Sequence, residues 1–551
     1  MSELSTEKKE VLLEEANKCL KCKVARCKKA CPIATDIPTI MNLFLEGKEK
    51  EAGELLFENN PLSAICSIVC PHENNCYGNC VLGIKKDPIP FYKIEQYISN
   101  NYINEFETQL PERNGKRIAV IGAGPAGISM SIIMALKGFK VTLMESQDQI
   151  GGVLRYGIPA FRLPKDRVDV YRDVLRRLGV MVKPNCHIGS NILMDDMFID
   201  GYDAIFLAVG TAKPNRLGLL GETLGHVHFA IDFLKSPTVY DLGKTVAVIG
   251  AGNVAMDVAR TAMRQDGVEK VIVLNNRREE DVTATKQEFS ETLADGVEFI
   301  HLMSVLRITE DGLVAVDVET SEGEDGRIIY EENMFSRHQI KADTVVLAIG
   351  QGPSSTISDK AQIATTLRGL FAVDENGMTN IPGVFAAGDV VSGPKTVVEA
   401  VAHTKMVAEQ MVKYLNEKQG DNIMTSFSPE MIEKAREAKS AEELLKMARE
   451  NGIELSPMEA KTYFSQLNPK SGELDDDDLD NVAGGLFGCF NFGNSIRKGA
   501  KVRVLNGKKC DKCGGNVGYY QSGSGATYIQ CENDGSNFAV NISTADLEEI
   551  D

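Results

Sequence analysis

The sequence predicts an α/β fold. A helical, cysteine-rich N-terminal domain precedes two Rossmann-like domains, the second inserted into the first, and a small helical C-terminal extension follows. Three observations predict this order. Eight of the thirteen cysteines lie between Cys19 and Cys80, glycine-rich strand-to-helix turns begin at Gly122 and Gly250, and the composition changes after Gly420. A chain of 551 residues is also too long for a single hydrophobic core.

The strand, helix and composition patterns divide the chain into six predicted segments. A linker, Pro111–Gly115, ends the cysteine-rich region, and a charged stretch at Ser321–Ile340 is expected to be irregular. The segments are 1–112 (helical domain), 113–240 (N-terminal portion of the first Rossmann-like domain), 241–345 (second Rossmann-like domain), 346–420 (C-terminal portion of the first Rossmann-like domain), 421–485 (helical segment) and 486–551 (Gly- and Lys-rich tail).

Composition excludes several classes of function. The formal net charge is −18 and the isoelectric point is near 5.1, whereas nucleic acids and anionic membranes bind basic surfaces. No apolar run reaches the length that spans a bilayer, and the N-terminus lacks the apolar core of a signal peptide. We therefore expect a cytoplasmic protein, whose cysteines bind metals or act in catalysis rather than form disulfides.

Two sets of four cysteines dominate the N-terminal region. They read Cys19-x2-Cys22-x4-Cys27-x3-Cys31-Pro32 and Cys66-x3-Cys70-Pro71-x4-Cys76-x3-Cys80. Thiolates at such spacings on short loops can surround a 4Fe–4S cubane, and a proline after a ligating cysteine also occurs in bacterial ferredoxins. Zinc is the alternative, because sites of four cysteines also bind zinc. Spacing alone does not show which cysteines share a cluster.

The first glycine-rich turn follows a short apolar strand predicted at Arg117–Ile121. Its G-x-G-x-x-G pattern provides a tight turn, room for a pyrophosphate and close helix–strand contact, with the helix N-terminus facing the phosphates. The next strand ends at Glu145, 23 residues after Gly122, where an acceptor for a ribose hydroxyl is expected. The predicted binding residues of this turn are Gly122, Gly124, Pro125, Ala126, Gly127 and Glu145.

A later strand, Val384–Ala386, is followed by Gly388 and Asp389. A carboxylate at this position lies near the ribityl chain of a flavin dinucleotide, so the two motifs together favour FAD over NAD in this domain. We also expect Gly151–Pro159 to lie against the flavin, and a helix from about 397 to 418 to close the domain. The additional predicted FAD-binding residues are Gly152, Arg155, Gly388, Asp389, Thr396 and Val397.

The second glycine-rich turn follows a strand predicted at Thr245–Ile249 and has alanine in place of the third glycine. The next strand, Val271–Leu274, ends without an acidic residue and precedes two arginines, whose planar guanidinium groups suit the 2′-phosphate of NADPH. The alternative is a solvated arginine pair beside Glu279 and Glu280. The predicted NADPH-binding residues are Gly250, Gly252, Asn253, Val254, Arg277 and Arg278.

Cys186 is the single cysteine within the two Rossmann-like segments, and we interpret it as a buried structural thiol. The lack of a Cys-x-x-Cys pair there argues against disulfide reductase chemistry. Electrons leaving a flavin in this chain therefore need another route, and the cysteine-rich N-terminus provides one.

Over residues 10–418 the sequence resembles the small subunit of NADPH-dependent glutamate synthase. It is also similar to the N-terminal half of dihydropyrimidine dehydrogenase and to the large subunit of NADH-dependent ferredoxin:NADP oxidoreductase. The matching motifs are Cys19–Cys31 with Pro32, Cys70–Cys80, both glycine-rich turns, Gly151–Pro159, Asn276–Arg278 and Ala387–Asp389. The resemblance implies an oxidoreductase that takes hydride from NADPH onto FAD and passes electrons through two 4Fe–4S clusters to a larger partner subunit.

The resemblance also implies crossed ligation of the two clusters. One cluster would be held by Cys19, Cys22, Cys27 and Cys80. The other would be held by Cys31, Cys70, Cys76 and Gln96, the last at the position of a glutamine ligand in dihydropyrimidine dehydrogenase. Cys66 would then be an extra structural cysteine, although its spacing alone makes it a candidate ligand.

Two regions of the chain depart from the family pattern. Val282-Thr-Ala-Thr stands where the family has Met-Pro-Ala. Beyond Gly420, residues 426–485 resemble a leader peptide of ribosomally made natural products that ends in a double glycine; a solvated acidic helix is the alternative. In the tail, Cys510-Asp-Lys-Cys513 resembles a zinc knuckle, which Cys531 and Asp534 would complete only partly, and a lost ribbon is an equal alternative.

Two further functions remain open at this point. One is a subunit of an electron-bifurcating transhydrogenase that works with a ferredoxin-reductase-like partner. The other is a peptide-modifying or carrier protein that uses the leader-like segment. The chain carries no sign of a glutaminase or an FMN-binding barrel, so in glutamate biosynthesis it would depend on a large partner chain.

Overall fold

A computed structural model gives the fold of the chain. It describes residues 3–106, 110–190, 192–323, 326–417, 438–450, 460, 501–504, 517–521, 527–531, 537–538 and 547–550. The chain divides into two units, Met1–Asn468 and Pro469–Asp551, and each is described by itself.

The first unit contains all the described helices. They are α1 (Glu3–Asn17), α2 (Arg26–Ala30), α3 (Ile37–Leu45), α4 (Glu49–Asn59), α5 (Ser63–Val69), α6 (Phe91–Glu105), α7 (Pro125–Leu136), α8 (Val153–Tyr156), α9 (Lys165–Arg177), α10 (Met194–Ile199), α11 (Ala230–Lys235), α12 (Asn253–Met263), α13 (Lys286–Ala294), α14 (Thr356–Ala361), α15 (Asp389–Ser392), α16 (Val397–Glu417) and α17 (Ala441–Glu450). Short 3-10 turns occur at Val81–Ile84, Pro237–Val239 and Glu279–Asp281.

The strands of the first unit follow α6 in the chain. They are β1 (Arg117–Ile121), β2 (Lys140–Met144), β3 (Met181–Lys183), β4 (Ala204–Leu207), β5 (Lys213–Pro214), β6 (Val227–Phe229), β7 (Thr245–Ile249), β8 (Lys270–Leu274), β9 (Glu298–Ile300), β10 (Met303–Thr309), β11 (Gly312–Glu322), β12 (Ile328–Lys341), β13 (Thr344–Leu347), β14 (Gln351–Gly352) and β15 (Val384–Ala386).

Two parallel five-stranded sheets form the centre of this unit. The first has the order β15-β4-β1-β2-β3 and the second β6-β13-β7-β8-β9. Their central strands are almost wholly apolar and buried, as expected for parallel strands covered on both faces by helices. The strand order reverses beside β1 in one sheet and beside β7 in the other, so each sheet has a crevice at the carboxyl ends of these strands.

The second sheet is inserted between β4 and β15 of the first. Two segments connect the sheets, one leaving the first sheet after β4 and one returning to it before β15. They lie side by side, because β5 in the first segment and β14 in the second pair antiparallel through Pro214 and Gln351. The predicted α/β class, the helical N-terminal domain and the inserted Rossmann-like fold are thereby confirmed.

The prediction of an irregular stretch at Ser321–Ile340 was wrong. The structure has a three-stranded antiparallel sheet, β10-β11-β12, and β12 runs through most of that stretch. Both strand pairs contain a register shift, and β12 is largely exposed. Charged residues on its solvent face hide the period-two alternation by which a strand is predicted.

Proline ends two helices of the N-terminal domain at a cysteine. Cys31 caps α2 and Cys70 caps α5, and both have extended backbone conformations (ψ of 123° and 140°). Each precedes a proline, whose ring disfavours helical geometry in the residue before it. The two thiols therefore leave their helices at fixed points.

In the second unit the structure describes five short strands. They are β16 (Lys501–Val504), β17 (Val517–Gln521), β18 (Thr527–Cys531), β19 (Asn537–Phe538) and β20 (Leu547–Ile550). β16 pairs with β20, and β17, β18 and β19 form a separate antiparallel sheet. The leader-like double glycine, Cys510, Cys513 and Asp534 lie outside the described residues, and Cys531 ends β18.

A capping motif at Ser440 lies in the first unit and starts α17. The hydroxyl of Ser440 accepts a hydrogen bond from the Glu443 N–H at 3.2 Å, and the Glu443 carboxylate accepts one from the Lys439 N–H at 2.8 Å. Among the helices that the structure describes, none combines the length and the apolar character needed to cross a bilayer.

We predict that Gly127→Ala destabilises the first sheet and lowers its FAD content. A Cβ at this position would lie 1.8 Å from the carbonyl oxygen of Gly122, so backbone must move. Overpacking of this kind costs about 1–3 kcal/mol. Thermal unfolding and bound flavin after anaerobic purification measure the effect. Gly225→Ala, whose Cβ meets no atom within 4 Å, is the control and should behave like the parent; equal effects in both variants would contradict the packing argument.

Candidate functional site

The carboxyl ends of β1, β2, β4 and β15 meet at one edge of the first sheet. Gly122 follows β1 with φ of +97°, and a Cβ there would lie 2.5 Å from the carbonyl oxygen of Ala208, which follows β4. Both the backbone angle and the contact require glycine. Gly124 precedes α7, and Pro125 and Ala126 lie in the first turn of that helix. The free backbone N–H groups at the N-terminus of α7 therefore face the crevice.

Glu145 lies at this edge and is buried. One carboxylate oxygen accepts a hydrogen bond from the Ala123 N–H at 2.7 Å, and the other accepts from the Gln147 N–H at 2.8 Å and the Ser146 hydroxyl at 3.0 Å. A carboxylate has about four lone-pair positions, so it can still accept a hydroxyl. Glu145 therefore holds the glycine-rich turn in place and can also accept a hydrogen bond from a ribose hydroxyl.

The Gly151–Pro159 segment packs on that turn. Gly152 has φ of +51°, and a Cβ on it would lie 2.8 Å from the Cα of Gly124. The side chain of Arg155 turns away, because its Nε donates to the carbonyl of Ile150 at 2.9 Å and its guanidinium pairs with Asp169. The structure thus places Gly152 at the turn, whereas Arg155 holds the segment in place.

Gly388 and Asp389 close the crevice from the β15 side. A Cβ on Gly388 would lie 3.0 Å from the Cβ of Ala126, which places this corner beside the first turn of α7. Burial raises the pKa of Asp389 to about 6; the Lys395 N–H opposes the rise and Glu399 adds to it. A half-buried carboxyl group in this position can bond a ligand hydroxyl group in either protonation state.

Thr396 and Val397 begin α16 next to this corner. The Thr396 hydroxyl donates to the Glu399 carboxylate at 2.6 Å, and the Glu399 N–H lies 3.4 Å from that hydroxyl, as in a capping box. Val397 packs against the first core. The two predicted residues therefore set the start of α16, and Glu399, which sequence reasoning missed, completes the cap.

A cavity of about 200 Å³ opens at the carboxyl ends of β7 and β8 in the second sheet. Gly250, with φ of +117°, lies at its base, and a Cβ there would lie 2.4 Å from the carbonyl oxygen of Ala348. The second turn therefore repeats the geometry of the first. The other lining residues that matter for binding are Ala251, Asn275, Asn276, Arg277, Asp281 and Thr283.

The two arginines after β8 have different partners. Arg277 lines the cavity, and its guanidinium lies 5.4 Å from the ring centre of Tyr330 on β12. Arg278 instead pairs with Asp281 at 2.7 Å and with Glu280 at 3.2 Å. Arg277 is therefore placed to meet a 2′-phosphate, whereas Arg278 neutralises an acid beside it.

Asn275 occupies the end of β8, where an acid would accept a ribose 2′-hydroxyl. It is buried, its amide nitrogen lies 2.9 Å from Nδ1 of His301, and its oxygen accepts from the Arg277 N–H at 2.9 Å. The neutral amide does not repel a phosphate, and it orients the backbone of Arg277. This arrangement favours NADPH over NADH.

The Val282–Thr285 segment, which departs from the family pattern, lies over the second glycine-rich turn. The Ala284 N–H donates to the carbonyl of Ala251 at 3.2 Å, and the Thr285 N–H donates to Oδ1 of Asn253 at 2.9 Å. Gly252 lies beneath Thr283, and Val254 packs against the second core. Asn253 thus anchors this loop by its side chain and starts α12.

The structure brings the cysteines together in two groups. Burial raises the pKa of Cys27 to about 11, and the nearby thiols of Cys80 and Cys19 add to the rise. Burial likewise raises the pKa of Cys19, with Cys22 and Cys80 beside it. We name Cys19, Cys22, Cys27 and Cys80 the far group.

Cys31, Cys70 and Cys76 form the second set, which we name the near group. Burial raises the pKa of Cys70 to about 12, and Glu95 and Cys31 add to it, whereas Asn75 donates to its Sγ at 3.2 Å. Cys76 is buried beside Glu95, Cys70 and Cys31. The grouping is the crossed one, and in the described portion of the chain no three His, Cys, Asp or Glu side chains converge on a single-ion site.

Glu95, one residue before the predicted ligand Gln96, faces the near group. Ser99 and Ser63 hydrogen-bond at 2.9 Å between α6 and α5, and Glu95 lies one turn from Ser99 on the same face of α6. Glu95 is buried, and burial raises its pKa to about 8. Gln96 lies about 100° further round the helix and is half-buried.

Cys66 lies on α5 beside the near group. It is buried, and its pKa is raised well above the ordinary value by burial first and by Cys70 and Glu95 next. It belongs to the same hydrophobic core as the first Rossmann-like fold. Cys186 is buried on the other face of the first sheet, in a separate core.

The near group adjoins the predicted FAD crevice through α16. Glu399, which caps α16 beside Asp389, also adds to the raised pKa of Cys70. Cys31 and Cys70 pack on the core that contains β1 and α7, whereas Cys76 belongs to the core of α1, α3 and α6, on which Cys19, Cys27 and Cys80 also pack. The near group therefore contacts both cores, and these three cysteines of the far group contact only the second.

A buried ionic contact joins the Gly151–Pro159 region to the second sheet. Arg162 donates two hydrogen bonds of 2.8 Å to Asp257 on α12 and also pairs with Glu288 on α13. Burial raises the pKa of Asp257 to about 6, although Arg162 opposes the rise. Sequence reasoning missed this contact, because spacing within one segment does not reveal a partner 95 residues away.

These crevices and cysteine groups define a class of protein, the dinucleotide-dependent flavin oxidoreductases with iron–sulfur centres. Residues 116–404 match the pyridine nucleotide-disulphide oxidoreductase family, and residues 2–106 match the dihydropyrimidine dehydrogenase domain II, 4Fe-4S cluster family. Cys186 is the single cysteine in residues 116–404, so the first family's name does not imply a redox disulfide here.

Three relatives are similar over most of this chain. The glutamate synthase (NADPH) small chain of Escherichia coli is 32% identical over 73% of this chain and 91% of its own length. The NAD-dependent dihydropyrimidine dehydrogenase subunit PreT homolog of Salmonella typhi is 32% identical over 74% and 94%. The NADP(+)-dependent formate dehydrogenase subunit beta of Moorella thermoacetica is 32% identical over 71% of this chain and 60% of its own length.

The chain belongs to the family of glutamate synthase small chains. It is an NAD(P)H-dependent oxidoreductase that uses FAD and iron–sulfur cofactors for electron transfer.

We predict that Arg277→Ala raises the KM for NADPH about tenfold or more and leaves the KM for NADH nearly unchanged. A hydrogen bond to a charged group contributes about 1.5–3 kcal/mol, and NADH lacks the 2′-phosphate. Steady-state kinetics with a dye acceptor measure both constants. Arg278→Ala is the matched variant and should have the smaller effect on NADPH, because Asp281 already pairs with Arg278. A larger effect of Arg278→Ala would refute the assignment.

Proposed function

We propose that the chain oxidises NADPH and delivers the electrons one at a time, by way of FAD and two 4Fe–4S clusters, to an acceptor on a partner. The observation that carries this proposal is that the near group contacts both the core beneath the FAD crevice and the core on which the far group packs. Bound FAD accepts a hydride and releases single electrons, so it joins the two kinds of transfer.

The residues of the second sheet would hold and select NADPH. The absence of a side chain at Gly250 would leave room for the pyrophosphate, and the guanidinium of Arg277 would bind the 2′-phosphate. Asn275 is neutral, so it would not repel that phosphate as an acidic residue would. The Arg162–Asp257 contact fixes this site against the Gly151–Pro159 segment, so the nicotinamide would be presented in one orientation. We assign no catalytic acid or base, because hydride transfer requires none.

The residues of the first sheet would hold FAD. Gly122, Gly124 and Gly127 leave room that a side chain would fill, and Glu145 has free lone pairs for a ribose. Asp389 and the first turn of α16 approach from the opposite side. The donor chemistry and the open backbone both suit a flavin dinucleotide.

We propose the far group as the ligands of one cluster. For the other we propose the near group with Glu95, in place of Gln96, as the fourth ligand. Glu95 is supported by its burial and by its position on the face of α6 that meets Cys70 and Cys76. Cys66 lies close enough to remain the alternative fourth ligand.

The partner we propose is a larger subunit or domain that carries the next electron acceptor. The named relatives are chains or subunits of glutamate synthase, dihydropyrimidine dehydrogenase and formate dehydrogenase. This supports a partner chain for the present protein, but the relatives differ too much to identify the electron acceptor. Glutamate biosynthesis is the first candidate process. The domain division given above, zinc at the tail cysteines and a leader-like role for residues 426–485 also remain proposals.

Metal and flavin analysis tests the cofactors. After anaerobic purification we expect about eight irons, as many sulfides and one FAD per chain. NADPH should then bleach the flavin absorbance under anaerobic conditions. Zinc in place of iron in the N-terminal domain, or a flavin that NADPH does not reduce, would overturn the proposal.

We predict that Glu95→Ala lowers the iron content from about eight towards about four per chain, because one cluster loses a ligand. Gln96→Ala, on the next position of the same helix, is the control and should keep the parent's iron. Iron and sulfide assays with EPR of the reduced protein provide the measurement. Loss of iron in Gln96→Ala with full iron in Glu95→Ala would restore Gln96 as the ligand.

A further inference from the structure

The loop between Cys70 and Cys76, which we name the near-group loop, contacts a helix of the second Rossmann-like fold. Oε1 of Glu73 accepts a hydrogen bond from the Gln287 N–H at 3.3 Å, and Gln287 is the second residue of α13. The first backbone N–H groups of an α-helix have no partner within the helix, and a negative charge is favourable at this end. An acidic residue of the N-terminal domain therefore completes the start of a helix that lies 214 residues further along the chain.

The near-group loop is held by its own domain. Nε2 of His72 donates a hydrogen bond to the carbonyl of Ser67 on α5 at 3.2 Å, and the His72 ring stacks on Tyr92 of α6 with the ring centres 4.4 Å apart. The carbonyl oxygen of Glu73 lies so close to Gly78 that a Cβ on Gly78 would be 1.7 Å from it. The backbone of Glu73 is thus fixed by its neighbours, and its carboxylate meets α13 from a fixed position.

The helix α13 begins directly after the segment that borders the cavity of the second sheet. Val282 and Thr283 line that cavity. Thr285 caps α13, because its hydroxyl accepts a hydrogen bond from the Glu288 N–H at 3.3 Å. The N–H of Thr285 in turn donates to Oδ1 of Asn253, at the start of α12, at 2.9 Å. A displacement of the first turn of α13 would therefore move the wall of the cavity.

Two successive residues of α13 bind two other parts of the chain. The N–H of Gln287 meets Glu73, as described above. The carboxylate of Glu288 pairs with Arg162 of the first Rossmann-like fold and with Arg260 of α12, the latter at 3.3 Å. The helix therefore joins the near-group loop and the first fold to the wall of the cavity.

We propose that Glu73 is a positioning residue for NADPH. By holding the first turn of α13, it keeps the Val282–Thr285 segment in the conformation that binds the dinucleotide. The affinity for NADPH then depends on the loop that carries Cys70 and Cys76. The inference rests on the proposed function, because it requires that the cavity of the second sheet binds NADPH. Since coupling between two sites is reciprocal, the bound dinucleotide must also stabilise the near-group loop.

Isothermal titration calorimetry of the anaerobically purified holoprotein with NADP⁺ tests the positioning role. We expect Glu73→Ala to raise the Kd for NADP⁺ about fivefold. Glu73→Gln keeps an oxygen acceptor at the same place and should recover most of the lost affinity. Glu54→Ala removes an exposed carboxylate from α4 of the same N-terminal domain and is the matched control, which should bind NADP⁺ like the parent. The variants are compared at the parent's iron and FAD content.

Hydrogen–deuterium exchange tests the reciprocal effect and begins with the parent holoprotein alone. When NADP⁺ saturates the parent, we expect slower amide exchange at residues 282–290 and also at residues 72–79 of the near-group loop. In Glu73→Ala, saturated at a higher NADP⁺ concentration, the slowing at residues 282–290 should remain, whereas that at residues 72–79 should be lost.

Four results would each overturn the proposal. They are a Kd of Glu73→Ala equal to that of the parent, an equal loss of affinity in Glu54→Ala, no recovery in Glu73→Gln, and unchanged exchange at residues 72–79 when NADP⁺ binds the parent. Failure of the proposed function gives a different result. In that case the parent itself shows no binding of NADP⁺ by calorimetry and no slowing of exchange at residues 282–290.

Discussion

The position of the near group depends on one packing contact, that of α5 on the first Rossmann-like fold. Cys66 on α5 lies in the same hydrophobic core as β1, α7 and α9. Pro71 ends α5 at Cys70, so the thiol is held at the border of that core. Protein interiors are close-packed and shift little, and the distance from the FAD crevice to the near group is therefore set by the fold rather than by a loop.

A second constraint sets the NADPH site against the FAD crevice. The two crossings between the sheets are paired at β5 and β14, and Arg162 bridges to Asp257 and Glu288. Removing one partner of such a buried pair leaves an uncompensated charge, which costs about 3–5 kcal/mol. Backbone pairing between β5 and β14 and the buried ion pairs of Arg162 together hold the NADPH site next to the FAD crevice.

Much of this order was predictable from the sequence, because the signals are local. Glycine at Gly122 and Gly250, the strands before them and the cysteine spacings each report on neighbouring backbone. Sequence reasoning failed where a role depends on a partner far along the chain. Glu95 faces Cys70 only because α6 packs on α5, and Arg162 meets Asp257 only because α12 of the second sheet lies beside it. The strand β12 was missed for a different reason, because the charges on its solvent face mask the alternation of a strand.

Electrons are proposed to pass from the FAD crevice through the near group to the far group. The variant Cys70→Ser, which removes a proposed near-group ligand, tests this route when it keeps FAD and far-group iron. Anaerobic stopped-flow absorbance with freeze-quench EPR follows flavin and clusters after NADPH is added. We expect FAD to be reduced at the parent's rate while the far-group cluster stays oxidised on the timescale of turnover. Reduction of that cluster at the parent's rate would rule the route out.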